Sequence, residues 1–167
     1  MSRTLSLTMR GAMNAQETGE VPIFLMTITH ELLEEPIRLS SDPTSRISVD
    51  PLKYGTASRG ETYLFVPMGY VLPDEKDGAA PQSRITLDNV DRSMVDIVRS
   101  AQTPARVTME LVLASALDEV EIAFPAFDLV SAPYDASIIT LHLAINALVT
   151  EPFPAGSFNP SQFPGLF

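Results

Sequence analysis

Between Pro81 and Ala114 the chain reads as a strand, a short helix and a second strand, and this succession narrows the fold more than any other stretch. Ile85 and Leu87 alternate with Arg84, Thr86 and Asp88, and Val107, Met109, Leu111 and Leu113 alternate with Thr108 and Glu110. A period of two marks strands with one face buried. Between them Val90, Met94, Ile97 and Val98 recur at helical spacing, with Asn89 placed as N-cap and Asp91 in the first turn. Thr103-Pro104 ends that helix. A short helix between two strands of one sheet would plug an end or opening of a β-barrel, and the core is expected to grow from this unit.

Other segments add strands to it. Residues Thr4 to Gln16 put Leu5, Met9, Ala12 and Met13 on one helical face, with Gly19 as the breaker, so an amphipathic lid on the core precedes the sheet. Val21 to Thr29 is apolar on both faces, which suits a strand covered on both sides. Ile37 and Leu39 start a second strand after the turn at Glu34-Glu35-Pro36, and Arg46 to Leu52 is a further candidate. Tyr54-Gly55-Thr56 and Arg59-Gly60-Glu61 read as turns. Tyr63 to Leu72 is strand-like throughout, with Pro67 marking an edge or a bulge. Pro73 to Gln82 reads as an exposed loop. Asp118 to Ala123 alternates, Phe124 to Leu129 is apolar around Pro125, and Pro133 to Ala136 turns the chain. Ser137 to Thr150 turns Ile139, Leu141, Leu143, Ile145 and Val149 one way and Thr140, His142 and Asn146 the other; helix-favouring Ala144, Ala147 and Leu148 compete with that strand reading. The fold class is therefore mainly β: a barrel or sandwich over residues 1–150, with an N-terminal helix and one short helix between two strands.

Residues 151–167, EPFPAGSFNPSQFPGLF, differ in kind. Phe153, Phe158 and Phe163 recur every five residues, Phe167 follows, and Pro152, Pro154, Pro160 and Pro164 interleave. So much proline excludes a long paired strand or a helix. Ordering such a segment costs more than burying four phenylalanines on its own surface returns. It is expected to be an extended arm that orders in a groove or on a partner.

Chemistry is sparse. Cysteine is absent, which excludes disulfides, thiolate metal sites and a cysteine nucleophile. His30 and His142 are the two imidazoles, and His142 sits on the polar side of its strand. Nucleophile-elbow, zinc-protease, phosphate-loop and dinucleotide signatures are missing. Asp74-Glu75-Lys76-Asp77-Gly78 fails the EF-hand spacing, and Glu119 with Glu121 reads as a charged exposed face rather than an acid/base pair. No catalytic, cofactor or metal residue is assigned. A net charge of −10 opposes stable nucleic-acid binding and contact with anionic lipid. The longest apolar run, within VPIFLMTI, is too short to insert in a membrane, and MSRTLSLTMRG lacks the apolar core of a signal peptide. Arg84, Arg92, Arg99 and Arg106 suit ion pairs across subunits.

The stretch GETYLFVPMGYVLPDEKDGAAPQSRITLDNVDRSMVDIVR, together with the closing EPFPAG and FPGLF of the arm, resembles tail-tip proteins of long-tailed bacteriophages. Over the whole chain it is similar to an uncharacterised family of small tail proteins. Over about residues 20 to 115 it resembles the N-terminal half of the lambda-type minor tail protein L, without the cysteine-bearing half that holds an iron–sulfur cluster there, and that cluster is not carried over. The resemblance implies a non-catalytic structural subunit of the virion's tail tip or baseplate, present in the host cytoplasm during assembly. It would form a cyclic homo-oligomer, a trimer in preference to a hexamer, between the distal tail or tube protein and the central hub or fibre. Phe153, Phe158, Phe163, Phe167, Arg92 and Arg99 are the expected interface residues. The alternatives are a receptor- or glycan-binding tail module, which the lack of tryptophan disfavours, and a small cell-wall hydrolase.

Overall fold

The computed structural model describes residues 5–72, 82–88, 104–135 and 137–145. Over these residues the chain forms α1 (Leu7–Asn14) and eleven strands: β1 (Pro22–Thr29), β2 (Ile37–Ser40), β3 (Ser45–Val49), β4 (Leu52–Ser58), β5 (Glu61–Phe65), β6 (Met68–Val71), β7 (Gln82–Asp88), β8 (Arg106–Leu113), β9 (Ala116–Ala123), β10 (Phe127–Ser131) and β11 (Ile138–Ala144). They belong to one sheet in the order β3-β4-β5-β2-β1-β8-β10-β11-β7-β6, with β9 branching from β8. The sheet curls into a half-barrel.

β8 is its hub. Its whole length pairs antiparallel with β1, from Pro22 opposite Leu113 to Thr29 opposite Arg106. On the other side its first residues pair with β10 and its last with β9. The alternation read from the sequence is the cause: Val107, Met109, Leu111 and Leu113 point into the curl, and Val112 and Glu110 point out of it. β1 is covered on both faces, as its unbroken apolar run requires. Phe24, Met26 and Ile28 enter the barrel core with Ile85, Leu87, Phe127, Ile139, Leu141 and Leu143. Ile23 and Leu25 enter a second, outer core with Tyr63 and Val112, roofed by β5 and by Leu117 and Val120 of β9. Each fully buried side chain of this size contributes about 1.5–3 kcal/mol.

The chain itself bridges the β2 side of the curl and the β7 side. Phe65 lies opposite Ser40 of β2, and the Val66 N–H donates to the Ser40 carbonyl at 3.1 Å. One residue later the Pro67 carbonyl accepts from Asp88 N–H at 3.0 Å, and Met68 pairs with Leu87. Inside, Tyr70 of β6 stacks on Phe24 of β1 with ring centroids 4.5 Å apart. Tyr63 to Leu72 is therefore not one strand, as its composition led one to expect. Pro67, which has no N–H to give, is where the chain leaves β2 and joins β7 as the edge strand β6.

Three other expectations are corrected. Tyr54-Gly55-Thr56 is not a turn but the middle of β4, and Gly55 is there because a Cβ at this position would lie 1.9 Å from the Tyr63 carbonyl oxygen. Arg46 to Leu52 is not one strand: β3 ends at Val49, the chain turns at Asp50-Pro51, which has a cis peptide bond, and Leu52 opens β4. The helix stops at Asn14, well before Gly19, and Met13 is 66% exposed while Met9 is buried and Leu5 packs on the core. Arg59-Gly60 is a turn as read, with positive φ at both residues (52° and 80°), the conformation a two-residue hairpin requires. Ile138–Ala144 is a strand, with Ile139, Leu141 and Leu143 buried as the alternation predicts, so packing overrides the helix propensity of Ala144. The loop within 73–81 and the helix expected after Asn89 lie outside the described residues.

Candidate assembly surface

The outer core positions what the molecule exposes. β4 and β5 cross over β8 and β9 and are fastened there by polar contacts. The Ser58 hydroxyl donates to the Leu117 carbonyl at 2.6 Å, and Asp118 accepts the Arg59 N–H. The Arg59 guanidinium forms a two-pronged pair with Glu110, with Nη1 to Oε1 at 3.2 Å. Glu110 holds the Arg59 guanidinium more firmly protonated than usual. Deeper in, the Ser40 and Thr56 hydroxyls meet at 2.8 Å and Ser40 Oγ accepts the Asp42 N–H, so these buried polar groups are satisfied.

Beyond that fastening, β3 and β4 overhang. Side chains two apart share a face of a strand. Thr56 and Ser58 are buried toward the outer core, and the same face continues through Tyr54 and Leu52, which are 42% and 58% exposed. Val49, opposite Leu52 across the turn, is 70% exposed, and Arg46 stands opposite Tyr54. A contiguous apolar strip with a cation beside it is thus presented to solvent. At the other end of the sheet the β1–β2 loop is shaped by His30, whose carbonyl accepts Leu33 N–H at 3.0 Å and whose Nδ1 accepts Leu32 N–H at 3.1 Å. Leu32 projects there, 65% exposed, among exposed Glu31, Glu34 and Glu35.

Among the described residues, His142 and Arg84 stand apart from the groove that His30, Glu31 and Arg106 share. His142 is half-buried on the outer face of β11, in register with Arg84 of β7 and Ser131 of β10. Arg106 opens β8, opposite Thr29 and Asp128, three strand positions from Arg84 in the sheet order, so the two arginines that are close in sequence stand apart in space. Arg106 shares a shallow open groove of about 380 Å³ with Thr29, His30, Glu31 and Pro104. Glu121 is not an idle surface charge: its Oε2 accepts the Ser6 N–H at 2.9 Å, while the Ser6 hydroxyl accepts Met9 N–H at 3.0 Å, a cap that ties α1 to β9. Asp135 caps the turn before β11, accepting Ser137 and Ile138 N–H at 2.7 Å each, and these bonds hold its carboxyl below the usual carboxylate range. Among the described residues no group of three or more His, Asp or Glu is arranged to hold a metal, and no helix is long and apolar enough to cross a membrane. Phe153, Phe158, Phe163, Phe167, Arg92, Arg99 and the acidic loop at 74–78 all lie outside the described residues.

The family model for a domain of unknown function (DUF1833) matches residues 8–154, nearly every residue of this architecture. The chain belongs to the DUF1833 family. In DUF1833 terms the matched span runs from α1 through all eleven described strands and ends inside the EPFPAG motif. A search of curated proteins finds no match.

Sequence reasoning missed the exposed hairpin, although a signal for it was present. Val49-Asp50-Pro51-Leu52 is an Asp-Pro turn between two apolar residues, and two apolar residues meeting across a tight turn share one face. It was hidden because Gly55 resembles a turn residue rather than a site of close strand approach.

Proposed function

We propose that this DUF1833 protein is a structural subunit of the tail tip or baseplate of a long-tailed bacteriophage, repeated in a ring that joins the tail tube to the central hub or fibre. The observation that carries this reading is the overhanging hairpin. The described body satisfies its own core and its buried polar groups, yet it leaves Val49, Leu52 and Tyr54 on a face that elsewhere packs inward. Such a surface fits a subunit built to be covered by neighbours. It joins the tail-tip resemblance of residues 60–99 and of the closing arm. The negative balance of the chain suits a ring through which DNA passes, since carboxylates around a bore repel phosphate. The arm is read as a strap whose phenylalanines fill pockets on an adjacent subunit or ring. Three copies are preferred to six.

The reading is tested by the mass of the full-length protein in solution and by its position in purified tails. Native mass spectrometry should show a closed oligomer, and labelled protein should decorate the tail tip in electron micrographs. A protein that stays monomeric at all concentrations and is absent from tails overturns it.

A further inference from the structure

Resting on the ring reading above, we propose that the β3–β4 overhang of one subunit docks on the β1–β2 loop of the next copy of this chain, and that this contact is the one repeated around the ring. The two surfaces are complementary in charge. The overhang bears Arg46 on the face of the exposed pair Val49 and Leu52, and Lys53, in register with Ser48, on its opposite face, against one carboxylate, Asp50 in the turn. The loop bears Glu31, Glu34 and Glu35 around the projecting Leu32. An apolar contact ringed by opposite charges selects partner and register more than it adds affinity.

The topology forbids these surfaces from meeting within one molecule. β2 leaves the loop at Ile37 and ends at Ser40 opposite Phe65, so the loop lies at the Glu61 end of β5. β4 runs antiparallel to β5, with Ser58 opposite Glu61, which sends Leu52 and Val49 to the far end. The seven residues of β4 alone separate the two ends by about 20 Å. Two different patches at opposite ends of one subunit generate a head-to-tail contact, which closes into a ring when its rotation allows. A symmetric contact of hairpin with hairpin would instead bring two hairpins of net positive charge together, without the carboxylates of the loop.

The test compares four full-length proteins by sedimentation and native mass spectrometry: the natural chain, Arg46→Glu with Lys53→Glu, Glu31→Lys with Glu34→Lys and Glu35→Lys, and all five changes combined. The changed positions are exposed, and a thermal melt by circular dichroism checks that each protein folds. Each partial reversal should weaken assembly by about tenfold or more, and the combined variant should regain it. The loop variant replaces three negative charges by three positive ones and moves the net charge from −10 to about −4, so a general charge effect would strengthen its assembly where the specific contact predicts weakening. A natural ring whose assembly ignores the reversals, or is not regained when they are combined, overturns the contact and leaves the ring standing. A natural chain that is monomeric throughout overturns both. If a fifth protein, Leu52→Asp, breaks the ring but the combined charge swap does not rescue assembly, the overhang is covered by something other than this loop, and the proposal fails.

Discussion

At the scale of single residues, the decisive positions are those where backbone approaches backbone. Gly55 has no room for a methyl group, because the atom it would strike is the carbonyl oxygen of Tyr63 rather than the end of a flexible side chain. Gly55→Ala should therefore cost about 1–3 kcal/mol, read as a lowered urea midpoint with an unchanged slope. An unchanged midpoint would mean that β4 and β5 are spaced more widely than described. Gly11, with nothing near its absent Cβ, makes a control at which alanine is tolerated. No periodicity distinguishes these two glycines in the sequence, since the difference between them is a neighbour eight residues away for one and open space for the other.

At the scale of elements, the sequence was legible wherever burial is one-sided and local. β8 and β11 were readable because every second side chain enters the core, and β1 because both its faces are covered. The break at Pro67 was visible, but its consequence was not: a proline announces that pairing stops without saying that the chain then crosses from β2 to β7. Partners in the sheet were equally hidden, since β2 pairs in parallel with β5 across two intervening strands of sequence. The assembly surface was less legible still, because Leu52 and Tyr54 repeat the pattern of Thr56 and Ser58 and only the edge of the molecule makes them exposed. The helix cap shows the same limit. Ser6 was not singled out, and no local pattern points to Glu121, its partner 115 residues away. Ser6→Ala should destabilise α1 by about 1 kcal/mol, and Glu121→Gln by less, both seen as faster hydrogen exchange in residues 9 to 12. Equal exchange in both variants and the natural chain would show that α1 is held by Met9 alone.

At the scale of the whole molecule, the reading divides the chain into a body that folds by itself and an arm that serves assembly. Deleting residues 151–167 should leave the melting of the body nearly unchanged while tails incorporating the shortened protein fail to assemble, measured by particle counts and infectivity. Normal infectious particles would show that the arm is dispensable, and a body that no longer folds would make it part of the core. The overhang and the arm then have separate tasks on this reading, lateral closure of the ring for one and attachment of the strap for the other. Ring formation by the shortened chain, without tail incorporation, is the outcome that separates them.

The crossing at Val66-Pro67 carries one more implication. An open sheet can be peeled from its outermost strand, one ladder at a time, but here a single short segment is hydrogen-bonded to β2 on one side of the curl and to β7 on the other. Pulling these two sides apart loads covalent backbone as well as hydrogen bonds, so the curl resists being sprung open much as a hasp does. A fastening of this kind yields only when both sides let go together.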